Sequence, residues 1–339
     1  MKRWIVMVLL AAASAQAQIV AEIDGGIAVA REGRLDVYDA TASRVVASFE
    51  GVRHPSRIVA GDGVVALLDT WSNEARIIDI RTGQSKSIQT LESPIDGLFS
   101  GPTLFVLARD AATLQRFASD GSKSSLAVAA DPAFMRERAG KLIVYSRREG
   151  SVQEVSLDPF TVTRRVAVAA GASDLEVDRN SGYLVYPDEG VVRTFSLSSF
   201  ETTGEVRTGA VPVDISVVRE SSALSPARLA VADPSSKRIW SVEGRQSQAA
   251  AFARGFVRGF IGLGFRPGPD PGFSTGVDRV VTAHGLTAAY DTSTGTVYRI
   301  DKSKPTAIAG GVAPGGFAIV SGGLAFWENG RLTVRRLQN

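Results

Sequence analysis

The chain has 339 residues, of which 44% are apolar and 22% charged, the balance of a folded globular protein rather than a disordered one. It has no cysteine and only 2 histidines, which excludes disulfides, thiol catalysis and a histidine-rich zinc centre. A formal charge of +3 offers no basic face for nucleic acid.

The first element is MKRWIVMVLLAAASAQAQ. Lys2 and Arg3 give a positive start, Trp4 to Ala13 an apolar stretch, and Ala15 to Ala17 a small-x-small cleavage signal. That is the layout of a secretory signal peptide, too short to anchor permanently in a bilayer. The expectation is a signal peptide over 1–17 and one exported domain over 18–339, periplasmic or secreted, with no membrane anchor after cleavage. A retained N-terminal helix is the alternative. Loss of Lys2 and Arg3 would bring the formal charge to about +1, which strengthens the case against nucleic acid.

From Ile19 onward the chain reads as strands. IVAEIDGGIAVARE, then SRIVAGDGVVALLDT, and much later DRVVTAHGLTAAYDT and GFAIVSGGLAFWEN each give an apolar strand, a tight turn with glycine, and a second apolar strand. A third strand with a polar turn follows each pair: RLDVYDATAS, ARIIDIRTGQ, LQRFASDGSK, VQEVSLDPFT, VRTFSLSSFE, KRIWSVEGRQ, TVYRIDKSKP and LTVRRLQN. A fourth leads on, as in RVVASFE, SKSIQTL, SSLAVAA, RRVAVAA, TGEVRTG, QAAAFA and PTAIAGG. The runs alternate or are short and rich in Val and Ile, without helical spacing.

Ser56–Thr70 and Asp278–Thr292 align without a gap, pairing Arg57 with Arg279, Gly63 with Gly285 and Asp69 with Asp291. Repeats of roughly forty residues are the size of a four-stranded propeller blade. The fold class expected is therefore all-β: a β-propeller of four-stranded antiparallel blades, eight favoured and seven the alternative. The last copy ends after its third strand, so residues 18–23 either complete that blade or begin the first.

The segment Gly182–Val218, with its G-x-x-P element at Gly209 to Pro212, resembles the exported YVTN propeller repeat family. Gly311 to Pro314 fits the same element, and Gly51 to Pro55 fits it with one residue more. The resemblance implies a propeller over nearly the whole mature chain. It leaves function open, because such families include lactonase-like enzymes, surface proteins and binding modules.

In a propeller the innermost strands line a central channel, and the loops leading into them open on one face. The third residue of each such segment is Arg57, Asp96, Phe134, Asp174, Asp214, Arg279 or Gly316, which predicts three carboxylates and two guanidinium groups on a common rim. His54 precedes Pro55 in one of these loops and joins the candidate ligand-binding set, whereas His284 sits in a hairpin turn on the opposite face. One reading is a site for a small charged ligand. The other is that the acids accept backbone N–H groups or pair with the arginines. No cofactor or metal is expected; calcium alone would suit the acids, yet no loop supplies its carbonyl ligands.

ARGFVRGFIGLGFRPGPDPGFSTG (Ala253–Gly276) is longer than its sister connections. It is expected either to fold over the channel mouth, presenting Arg254, Phe256, Arg258 and Phe260, or to be an overlong strand and loop. A second register makes Phe260–Phe265 the inner strand instead. The leading functional reading is a binding or interaction module with an unknown protein partner or small charged ligand. The alternatives are a lactonase-like or other hydrolase using the carboxylates and His54, and a structural envelope protein.

Overall fold

The structure, a computed structural model, describes residues 18–208, 211–220, 227–243, 276–301, 304–321 and 323–336. The candidate signal peptide, the outer strand expected over 248–253 and the candidate mouth residues Arg254, Phe256, Arg258 and Phe260 lie outside the described residues. No helix among the described residues is long and apolar enough to cross a membrane.

Eight antiparallel sheets follow one another along the chain, spanning 19–52, 57–89, 94–127, 132–167, 174–207, 214–243, 279–309 and 317–336. Six have four strands, and the sixth and eighth have three among the described residues. Within each sheet the strands pair in chain order, each with the next. The innermost strands are Ile19–Ile23, Arg57–Ala60, Pro94–Ser100, Pro132–Arg138, Asp174–Val177, Asp214–Arg219, Arg279–Ala283 and Phe317–Val320. Each lies beside the inner strand of the next sheet, and the eighth lies beside the first, so the sheets close a ring. The chain is an eight-bladed β-propeller, and Ile19–Ile23 begins the first blade rather than completing the last.

The second strand of each sheet is almost wholly buried, as in GIAVAR, TLFVLA and KLIVYS, because both of its faces meet neighbouring sheets. Each of the eight seams holds its own apolar cluster. Leu68, Leu104 and Phe117 fill the seam between sheets two and three, and Phe105, Leu142 and Val155 the next. The closing seam packs Val20, Ile27 and Val29 of the first sheet against Val320, Trp327 and Leu332 of the eighth.

Hydrogen bonds reinforce that closure without a covalent tie. The Val20 N–H donates to the Gly315 carbonyl at 2.8 Å. Glu22 reaches two neighbours: its Oε1 accepts the Ser321 N–H at 2.7 Å, and its Oε2 lies 2.5 Å from His284 Nε2. His284 and Gly285 have φ of 49° and 73°, the pair of positive values a tight hairpin turn of matching twist requires. The turn thereby presents the imidazole to Glu22, a role its solvated hairpin position did not suggest.

Buried tyrosines fasten the loops that lead to the inner strands. Tyr145 and Tyr186 both donate to the Ala169 carbonyl at 3.1 Å, and the Ala172 N–H donates to Tyr145 Oη at 2.9 Å. These bonds fix the chain just before Asp174. Tyr290 does the same before the eighth inner strand, donating to the Val312 carbonyl at 2.7 Å.

Two outcomes follow for the closing seam. Trp327→Ala should cost about 3–5 kcal/mol in denaturant unfolding, the range for emptying a buried aromatic site. Glu22→Ala should cost less, about 0.5–1.5 kcal/mol, because water can replace the acceptor of the exposed Ser321 N–H and His284. A midpoint unchanged in both variants would show that the seam does not contribute to stability.

Candidate functional site

The rim is set by sheet register. Arg57 pairs with Leu68, Asp96 with Leu107, Phe134 with Tyr145, Asp174 with Val185, Asp214 with Ala232 and Arg279 with Tyr290. In every case the partner is the penultimate residue of the second strand. Gly316 occupies the same rung, its carbonyl accepting the Trp327 N–H at 2.8 Å, and Ile19, paired with Ala30, completes the eight. The rim candidates Arg57, Asp96, Asp174, Asp214 and Arg279 therefore stand at one level around the channel.

At that level the three aspartates perform the same bonding task. Each accepts, through Oδ2, the N–H of the residue one beyond the rim position in the next blade. Met135 donates to Asp96 at 3.1 Å, Ile215 to Asp174 at 3.1 Å and Val280 to Asp214 at 2.7 Å. Two also accept, through Oδ1, the N–H that follows them in their own strand: Gly97 to Asp96 and Leu175 to Asp174, both at 2.8 Å. An Asp at the first rung thus latches its blade to the next.

The remaining oxygen capacity meets arginine. Arg57 Nη2 lies 2.9 Å from Asp96 Oδ1. Arg136, two residues beyond the rim and so on the same face of its strand, reaches Asp96 at 3.7 Å, Asp174 at 3.3 Å and Glu176 at 3.2 Å. Arg136 and Glu176 keep 25% and 26% of their side-chain surface accessible, so water still reaches this network. Arg279 acts on Asp214 through its charge, with no ion pair at contact distance among the described residues.

Electrostatics single out the Asp174–Asp214 pair. Burial, then the charge of Asp174, pushes the Asp214 carboxyl well above the usual carboxylate range. Burial also raises Asp174, with Arg136 pulling it back. The two carboxyl groups are coupled, so a proton taken up here belongs to the pair rather than to either residue. Glu176 is raised by burial to about 6, against the pull of Arg136. No cluster with metal-ligand geometry is present among the described residues.

His54 sits apart from this network. Its N–H donates to Asp69 Oδ2 at 3.4 Å, and its ring lies 5.6 Å from that of Trp71. Arg136 and Glu176 were missed in the sequence although they have a signal there: each lies two residues beyond a rim position, on the same strand face.

No family model matches the chain, and no curated protein does. Solved structures do. The computationally designed Ika8 protein aligns at 9% identity over 95% of this chain and 96% of its own, with a TM-score of 0.72. BamB from Moraxella catarrhalis aligns at 13% identity over 94% and 96%, with a TM-score of 0.64. Hsv2 from Kluyveromyces lactis aligns at 14% identity over 88% and 100%, with a TM-score of 0.61. At these identities the likeness establishes the β-propeller fold and nothing finer.

Proposed function

We propose that the chain is an exported β-propeller binding module whose channel rim receives a small ligand carrying a positive group. The signal-like N-terminus and the resemblance to YVTN repeats support export. One observation carries the ligand class. Four carboxyl groups, Asp96, Asp174, Glu176 and Asp214, stand with three guanidinium groups, Arg57, Arg136 and Arg279, and the raised Asp174 and Asp214 favour an added proton at their pair. A ligand ammonium placed there would take over the task of that proton.

The sign of the pH dependence follows from Glu176. Its carboxyl, raised from 4.5 to about 6, contributes stability that is complete below 4.5 and lost as pH rises through about 6. The same ionisation adds negative charge to the rim. Affinity for a cationic ligand should therefore rise between pH 5 and 7 while thermal stability falls, and Glu176→Gln should flatten both profiles.

Titration calorimetry with spermidine and agmatine tests the reading. Binding should release protons, seen as a dependence of the heat on buffer ionisation enthalpy, and Asp214→Asn should weaken it about tenfold or more. Absence of heat with both amines at pH 7, or undiminished binding by Asp214→Asn, would overturn the assignment.

A second reading is favoured by the same proton. Two carboxyl groups sharing one proton are the arrangement of a general acid and base, so a hydrolase acting at the rim is the alternative. The form expected from the sequence uses His54, yet no hydrogen bond or ion pair among the described residues joins His54 to a rim carboxylate. Turnover of a lactone or ester panel that is lost in Asp174→Asn and kept in His54→Ala would support the carboxylate-only form.

A further inference from the structure

The repeat provides an internal control for what the fold needs. At the turn between the second and third strands, sheets two, six and seven carry the same device: an Asp whose Oδ1 accepts backbone N–H groups ahead of it. Asp69 accepts Trp71 at 2.8 Å and Ser72 at 3.1 Å, Asp233 accepts Ser236 at 3.1 Å, and Asp291 accepts Ser293 at 2.8 Å and Thr294 at 3.3 Å. The residue two beyond the Asp is Ser235 in one sister and Ser293 in another, so serine satisfies this turn. In the second sheet it is Trp71, and 83% of its surface is exposed. The loop before the inner strand departs in the same blade. His54 stands where the sister blades have Ser93, Asp131, Gly171, Val211, Gly276 and Ala313. Two aromatic rings thus occupy positions at which the fold accepts serine and glycine, and they meet at 5.6 Å with an interplanar angle of 42°.

Asp69 ties the two together, since it holds the Trp71 turn through one oxygen and the His54 N–H through the other. Two clefts open on either side of Arg53, His54 and Pro55. One of about 270 Å³ is bordered by Glu74, and the other, of about 220 Å³, by Trp71 and Glu32. Each is slightly smaller than the roughly 300 Å³ at which pockets for drug-sized ligands begin, so each suits about one ring. Arg53, Glu32 and Glu74 make no ion pair among the described residues, which leaves charged donors and acceptors of both signs open to a ligand.

We infer that this aromatic corner is a saccharide-binding site, separate from the channel rim, that takes a neutral oligosaccharide with one ring stacked on Trp71 and a second beside His54. The choice rests on chemistry. A sugar ring has an apolar C–H face for the indole, and its hydroxyls both donate and accept. An anionic ligand would meet Glu32 and Glu74, and a cationic one would meet Arg53. A proline-rich peptide also docks on exposed aromatic rings, and it is the competing occupant that the test below separates.

A printed array of neutral and anionic oligosaccharides, probed with the full chain, tests the inference. Neutral glycans should be retained, and a soluble form of the best binder should shift the tryptophan emission of the chain. Trp71→Ser, the residue of the sister turns, should weaken that binding about tenfold or more while leaving the unfolding temperature unchanged. His54→Gly should weaken it less. Retention of no glycan, retention of anionic glycans alone, or binding undisturbed by Trp71→Ser would each overturn the assignment. So would a Trp71-dependent protein complex in the absence of any glycan binding, which would make the corner a protein-docking anchor instead.

Discussion

The structure depends on one constraint: each short sheet has two apolar faces and no means of covering both alone. A four-stranded sheet in water would leave its central strands, such as TLFVLA or KLIVYS, solvated on both sides. Stacking sheets face to face around an axis solves this for every seam but one, and the ring must close to solve the last. The closing seam here relies on noncovalent packing of Trp327 and Leu332 against Val20 and Ile27, with Glu22 bridging to the Ser321 N–H and to His284. A chain with no cysteine has no disulfide with which to hold that seam.

The same ring geometry creates the chemistry at its centre. Because every inner strand enters at the same rung, a residue type repeated there is brought together from distant parts of the chain. Aspartate at that rung latches one blade to the next through a backbone N–H, which is an architectural task. Repeating it in adjacent blades couples the carboxyl groups of Asp174 and Asp214 and raises both, an electrostatic consequence. An architectural task therefore does not preclude a chemical one for these acids. Asp96 and Asp174 spend both oxygens on neighbours, while Arg136 compensates the charge that remains.

Much of this was legible in the residues, and what escaped had definite physical causes. The repeat, the strand pattern and the common level of Arg57, Asp96, Asp174, Asp214 and Arg279 all follow from period and spacing, which survive divergence because sheet register is unforgiving. Arg136 and Glu176 escaped because their blades were read only at the first rung, although the alternation of a strand puts the second residue on the same face. Glu22 and His284 lie at opposite ends of the chain and meet only because the ring closes there, a contact no local pattern encodes. Trp71 lies one residue beyond the gapless match of Ser56–Thr70 with Asp278–Thr292, where the comparison with Ser293 would have exposed it.

Amide hydrogen exchange resolved along the chain tests the closed ring most directly. If every seam buries its apolar faces equally, the inner-strand amides of Val20 and Ala318 should be protected to the same degree as those of Val59 and Ile215. Exchange at Val20 and Ala318 that runs ahead of the other inner strands by orders of magnitude would mean that the first and eighth blades part in solution. The ring, and the shared rim built on it, would then be contradicted.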